Sequence, residues 1–140
     1  MSDFVLDASV VLAAHLPATP AQKSYALSVL SLIRAGAVPA VPGLWAMEVG
    51  SVLINVRRQR LINQAQQDAA LDAIDLMVYD VHHMPYTVPG LVHTAKTYML
   101  QGYDAVYFDL AKRLGIPLAS LDRGHKSACR AHGVKLMEFK

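Results

Sequence analysis

A chain of 140 residues has the length of one domain and can bury a single sizeable core. Hydrophobic residues make up 54% and charged residues 17%, fewer charges than usual, which leaves surface for a homodimer face or a partner groove. A net charge of +2 is too small to make a nucleic-acid-binding field by itself, and the one cysteine, Cys129, excludes an internal disulfide and a cysteine-based zinc site. No stretch approaches the roughly 20 apolar residues that a membrane span requires. The amino-terminal apolar run is broken by Asp7 and His15 and has no basic lead, so no signal peptide is expected and the chain reads as soluble and cytoplasmic.

Phe4-Val5-Leu6 reads as a buried strand that runs straight into Asp7, and a short helix from Ala8 to Leu16 follows, ended by Pro17. Thr19-Pro20-Ala21-Gln22 has the form of a capping box with proline at the first helical position, opening a helix that Gly36 closes. Ala37 to Val41 is a brief second strand, and Pro42-Gly43 turns the chain into a helix from Leu44 to Arg60. Trp45, Glu48, Val49, Val52, Leu53 and Val56 share one stripe of that helix, which puts Glu48 on the buried side.

Asn63 and Gln66 repeat the capping-box spacing. On the helix they open, Asp68, Asp72 and Asp75 form a solvated face, with Asp80 assigned to the same polar element, opposite Ala70, Leu71, Ile74, Met77 and Val78. Val81 to Tyr86 is expected to be a third strand and Pro89 to Leu100 a helix. Tyr103-Asp104-Ala105 opens a helix through Leu114, stopped by Gly115, and Pro117 to Leu121 is a strand running into Asp122. Gly124 to His132 is helical, and Val134 to Phe139 is a closing strand. Strands alternating with helices predict a parallel sheet with helices on both faces, an α/β/α sandwich.

Sorting the acids by context separates those that need a partner from those that do not. Asp7 and Asp122 end strands, while Glu48 and Asp104 lie near the starts of helices. In an open parallel sheet the carboxyl ends of the strands form the ligand crevice, so Asp7 would look into it. Asp109 lies about 140° around the helix from Asp104 and faces elsewhere. Taken singly, Asp7, Asp104 and Asp122 read as helix caps or turn residues. Glu48 has no capping role, and a carboxylate on an apolar stripe needs a cation or a hydrogen-bond network. Lys112, Arg113 or Arg123 could supply a salt bridge. A hard ion such as Mg²⁺ or Mn²⁺, which prefers oxygen donors, would satisfy all four acids at once. Such a cluster suits phosphoryl transfer, where the ion activates a water and neutralises the phosphate.

Val5-Leu6-Asp7-Ala8-Ser9, Glu48-Val49 with Val52-Leu53, Tyr103-Asp104-Ala105-Val106-Tyr107 with Leu110-Ala111, and Ser120-Leu121-Asp122 resemble, in order and spacing, the four acidic blocks of PIN-domain ribonucleases. The chain's size is similar to that of the VapC-type toxins of toxin–antitoxin pairs. The resemblance implies a parallel sheet of about five strands and an endoribonuclease site where Asp7, Glu48, Asp104 and Asp122 converge on Mg²⁺ or Mn²⁺, supported by Ser9 and Ser120. It also implies a homodimer inhibited by a small antitoxin. Ser51 stands where the family often has an asparagine, and Arg123-Gly124-His125 replaces the usual apolar lead into the last helix. These departures keep open a second reading, a PIN-like scaffold that binds RNA or a protein without cleaving. If one acid is dispensable, it is Asp122.

Arg57, Arg58 and Arg60 end a helix, where cations complement the helix dipole. Arg123, His125, Lys126 and Arg130 follow Asp122 and are expected to rim the cleft and hold RNA phosphates. His82 and His83 point to opposite faces of a strand and cannot chelate together. Tyr98, Tyr103 and Tyr107 read as core and dimer contacts, and Cys129 as an ordinary core residue.

Overall fold

The computed structural model describes residues 1–139. Its organising strand, β1 (Phe4–Leu6), is buried at every position. Successive side chains on a strand face opposite sides, so burial of all three residues means that both faces of the sheet are covered. Four strands pair in the order β3-β2-β1-β4, all parallel, with β2 at Pro39–Pro42, β3 at Asp80–His82 and β4 at Leu118–Ala119. Among the described residues, seven helices flank the sheet: α1 (Ala8–His15), α2 (Pro20–Arg34), α3 (Leu44–Arg58), α4 (Gln64–Asp75), α5 (Val88–Tyr98), α6 (Gly102–Leu114) and α7 (Arg123–His132).

The strand order fixes where a ligand would sit. From β1 the chain builds outward through β2 and β3, then returns to add β4 on the other side of β1, so the order reverses between β1 and β4. A parallel sheet opens its crevice at such a reversal, beyond the carboxyl ends of the strands. Val5 pairs with Leu118 and Leu6 with Ala119, and the Asp7 amide continues the ladder by donating to the Ala119 carbonyl at 3.0 Å. Asp7 and Ser120 therefore leave the sheet side by side.

The helices start where the sequence marks them. Thr19 and Asn63 both form complete capping boxes, with Gln22 and Gln66 reaching back to the cap amides. Gly115 ends α6 with φ at +64°, a left-handed conformation that suits glycine. Helix α6 is the most deeply set element: it packs on β1, β2 and β4, and every residue from Ala105 to Ala111 is buried. Trp45 of α3, Tyr107 and Phe108 of α6 and Phe4 of β1 are the largest fully buried side chains.

Several boundaries differ from expectation. The third strand ends at His82 instead of Tyr86, because its partner β2 ends at Pro42, the residue paired with His82. The closing strand reduces to one parallel bridge between Leu118 and Leu136, since β4 is only two residues long and offers no more backbone to pair. The sheet thus has four strands where about five were expected. Asp80 lies in β3, where it accepts from the Ser2 hydroxyl at 2.7 Å, and does not belong to α4. The expected apolar face of α4 is buried only at Ala70, while Leu71 and Val78 remain exposed. No helix among the described residues is long and apolar enough to cross a membrane.

Candidate metal centre

Asp7, Glu48, Asp104 and Asp122 line one cleft of about 460 Å³, together with Ser9. Each arrives on a different element. Asp7 leaves β1 and caps α1, its Oδ2 accepting from the Ser9 amide at 3.1 Å, and it is only 5% exposed. Asp122 follows β4 and caps α7, its Oδ2 accepting from the His125 amide at 2.9 Å. Asp104 sits in the first turn of α6 and Glu48 in the second turn of α3. The capping and site readings of Asp7 and Asp122 are compatible, because each cap bond is made by Oδ2 and does not use Oδ1. Gly124 makes room for Asp122: a Cβ there would lie 2.9 Å from its Oδ2.

Beneath the acids lies a buried polar chain that joins Ser9 and Ser120, named from the sequence as supporting residues, to His125, whose part in it sequence reasoning missed. His125 is fully buried, its Nε2 lying 2.8 Å from the Asp104 carbonyl and its Nδ1 2.7 Å from Ser120 Oγ. A carbonyl can only accept, so Nε2 carries a proton. Ser120 Oγ accepts from the Asp122 amide at 3.0 Å and lies 3.4 Å from Asp7 Oδ2. Ser9 Oγ accepts from the Leu121 amide at 3.1 Å. The two serines therefore tie the loop after β4 to the start of α1, and His125 ties it to the start of α6. Asp7, Asp104 and His125 each offer an atom within 4.8 Å of the others, so the group could hold a metal ion, although both imidazole nitrogens already have partners. A metal at Nδ1 would displace Ser120. The oxygens of Asp7 and Asp104 carry no such conflict.

The electrostatics are those of acids crowded without a cation. Burial, then the charges of Asp122, Asp7 and Glu48, push the Asp104 carboxyl up to about 6, with His125 opposing. Burial also raises Glu48, opposed by the hydrogen bond it accepts from the Tyr107 hydroxyl at 2.5 Å. Because the Asp104 value lies above the ordinary 3.8, its contribution to stability is complete below about pH 3.8 and is lost as pH rises through about 6. The metal-free protein is expected to lose about 1 kcal/mol over that window, after discounting for solvent screening of a half-exposed group. Melting curves in a chelator should fall with pH there, and saturating Mn²⁺ should remove the slope.

Tyr107, read from the sequence as a core or dimer contact, is fully buried and holds Glu48 in place. Desolvation and the Glu48 carboxylate raise its hydroxyl strongly, so it remains a donor. The distinctive Tyr-Asp-Ala-x-Tyr block contained this signal, since the tyrosine follows Asp104 by three residues and shares its face. Tyr107→Phe is expected to raise the Glu48 pKa further and to cost about 1–3 kcal/mol, checked by NMR titration and urea unfolding.

None of the four residues expected to form a basic rim is among those that line this cleft. His125 is buried beneath it and cannot touch RNA, which corrects that assignment. Lys126 and Arg130 line a separate groove with Tyr25 and Phe139, and Arg123 is exposed at the start of α7. No Lys or Arg lines the acidic cleft among the described residues. Asp109 faces away, paired with Arg113 at 2.9 Å and accepting from the Tyr86 hydroxyl. Cys129 is buried, with its thiol raised to about 11 by desolvation, a value unsuited to a nucleophile.

This architecture, a four-stranded parallel sheet in the order 3-2-1-4 flanked by seven helices, is a PIN-like fold. The chain matches the crystal structure of PAE2754 from Pyrobaculum aerophilum with a TM-score of 0.64 at 20% identity, covering 91% of this chain and 79% of that one. No family model matches the chain, and no curated protein matches it.

Proposed function

We propose that the protein is a metal-dependent endoribonuclease. The observation that carries this reading is the cleft itself: four carboxylates from four separate elements line it, and no cationic side chain among the described residues balances them. That donor set fits Mg²⁺ or Mn²⁺, which take carboxylate oxygens and retain waters. Asp7, Glu48 and Asp104 would hold the principal ion, with Asp122 completing the site or a second ion. An ion there would supply charge neutralisation for a phosphodiester and acidify a water for in-line attack, leaving a 5′ phosphate and a 3′ hydroxyl. The chain's own part is positional. Ser9 and Ser120 fix the carbonyl ends of β1 and β4 against each other, His125 anchors the first turn of α6, and Tyr107 aims Glu48.

A toxin of a type II toxin–antitoxin module, acting as a homodimer and inhibited by a small antitoxin, is the role that the sequence resemblance supports. Exposed Val88, Val92, Met99 and Tyr103 on and around α5 supply apolar surface suited to a second copy. The scaffold reading rested partly on Ser51, but Ser51 is exposed and Tyr107 gives Glu48 the polar support that Ser51 does not.

The test is incubation of the purified protein, freed of any co-purifying partner, with single-stranded and structured RNA. Cleavage that requires Mn²⁺ or Mg²⁺ and stops with a chelator is the expected result. Folded protein that binds RNA or a partner yet never cuts would overturn the nuclease reading in favour of the scaffold.

A further inference from the structure

The cleft has two unlike ends. Past the acids its wall becomes apolar, formed by Leu12, Leu16 and Pro17 from α1 and its exit and by Val52 from α3, with Gln22 of α2 as the polar group there. Helical rise places Leu12 and Leu16 about 7 and 13 Å along α1 from Asp7, on the order of a nucleotide's own length. The nearby cation is already committed, since the Lys23 ammonium donates to the Ala13 and Leu16 carbonyls at 3.1 and 2.7 Å and closes the end of α1. Held there, Lys23 is not among the residues that line the wall along which a polyanion would run. Such a polyanion finds an apolar shelf and one amide.

The capping box decides what that amide can offer. Gln22 Oε1 accepts from the Thr19 amide at 3.0 Å, while Thr19 Oγ1 accepts from the Gln22 amide at 3.2 Å. With one lone pair of its oxygen engaged and the oxygen held at the cap, the groups the side chain has uncommitted are its Nε2 hydrogens, so it is set up to donate. We propose that the apolar end of the cleft is a nucleobase subsite, in which Gln22 donates to O4 of a uracil or O6 of a guanine lying on the Leu12–Leu16–Pro17–Val52 shelf. The subsite deepens the nuclease reading and rests on it, because the base belongs to a nucleotide next to the phosphate held by the acids. At that edge cytosine presents the N4 amine and adenine the N6 amine, so they meet the Gln22 donor with another donor.

Oligouridine and oligocytidine heptamers separate the idea cleanly, since both are pyrimidines with similar stacking faces. Binding is measured by fluorescence anisotropy in Ca²⁺, for the wild type and for Gln22→Glu. Glutamate is well suited to this capping-box position, so the variant retains the start of α2, checked by its melting curve, but presents an acceptor in place of the donor. Wild-type protein should bind oligouridine about fivefold more tightly than oligocytidine, and Gln22→Glu should abolish or reverse that order. Equal affinities in the wild type, no measurable binding of either oligomer, or an unchanged preference in the folded variant would overturn the subsite. Mn²⁺ is then added to the same samples and the products are resolved on a gel. A base preference that Gln22→Glu reverses, without cleavage, would uphold the subsite and overturn hydrolysis; cleavage with no base preference would do the opposite.

Discussion

Asp7→Asn is expected to abolish metal-dependent RNA cleavage, with a loss of about a thousandfold or more, while leaving the fold intact. The two expectations rest on different atoms of one side chain. Asp7 Oδ2 caps α1 through the Ser9 amide, and asparagine is as good a cap as aspartate, so the helix start survives. What is lost is the negative charge facing the cleft, at a position only 5% exposed where solvent cannot replace it. The substitution should also relieve Asp104, because the charge of Asp7 is among those that hold the Asp104 carboxyl up. Cleavage of end-labelled RNA in Mn²⁺, Mn²⁺ binding by calorimetry and an NMR titration of Asp104 check the three consequences together. Full activity in a folded variant would remove Asp7 from the site and with it the metal reading.

Much of this arrangement was legible in the sequence, and the reasons differ by residue. Asp7 and Asp122 could be placed because an apolar run that stops at a carboxylate marks the end of a buried strand, and the ends of parallel strands share one edge of the sheet. Glu48 could be placed because helical periodicity set a charge on an apolar stripe. The capping boxes at Thr19 and Asn63 were legible because their chemistry is local, set by side chains three residues apart. His125 was not. From sequence it was one of several basic residues after Asp122, and nothing local distinguishes a histidine that points inward from one that points to solvent. Its burial follows from the direction in which α7 leaves β4, which is a property of the packed molecule. The closing strand was overestimated for a related reason: its residues favour a strand, but the length of a ladder is set by the partner, and β4 supplies two residues.

His125→Phe is the variant expected to cost most in stability while leaving all four acids in place. The imidazole is fully buried and its ring packs 6.3 Å, centre to centre, from that of Tyr107, so a phenyl ring keeps the aromatic contact in a slightly larger shape. What the phenyl cannot do is donate to the Asp104 carbonyl or pair with Ser120 Oγ. Each keeps another partner, Ser120 Oγ the Asp122 amide and the Asp104 carbonyl its place in α6, so each loses one bond of about 0.5–1.5 kcal/mol. With overpacking by the larger ring at about 1–3 kcal/mol, the expected loss is about 2–5 kcal/mol. Function should suffer through position and not through charge. The start of α6 would no longer be tied to the loop after β4, so Asp104 and Asp7 would lose their fixed relation. Removing an outer hydrogen-bond partner of a metal site typically weakens binding by about 10- to 100-fold, and Mn²⁺ affinity should fall within that range. His125→Gln, which can both donate and accept, should recover part of the affinity even though its shape fits less well. Urea unfolding and Mn²⁺ calorimetry on the two variants separate filling from hydrogen bonding. If the phenylalanine variant melts and binds Mn²⁺ like the wild type, the imidazole is only filling space, and the alignment of Asp7 with Asp104 must come from the β1–β4 ladder alone.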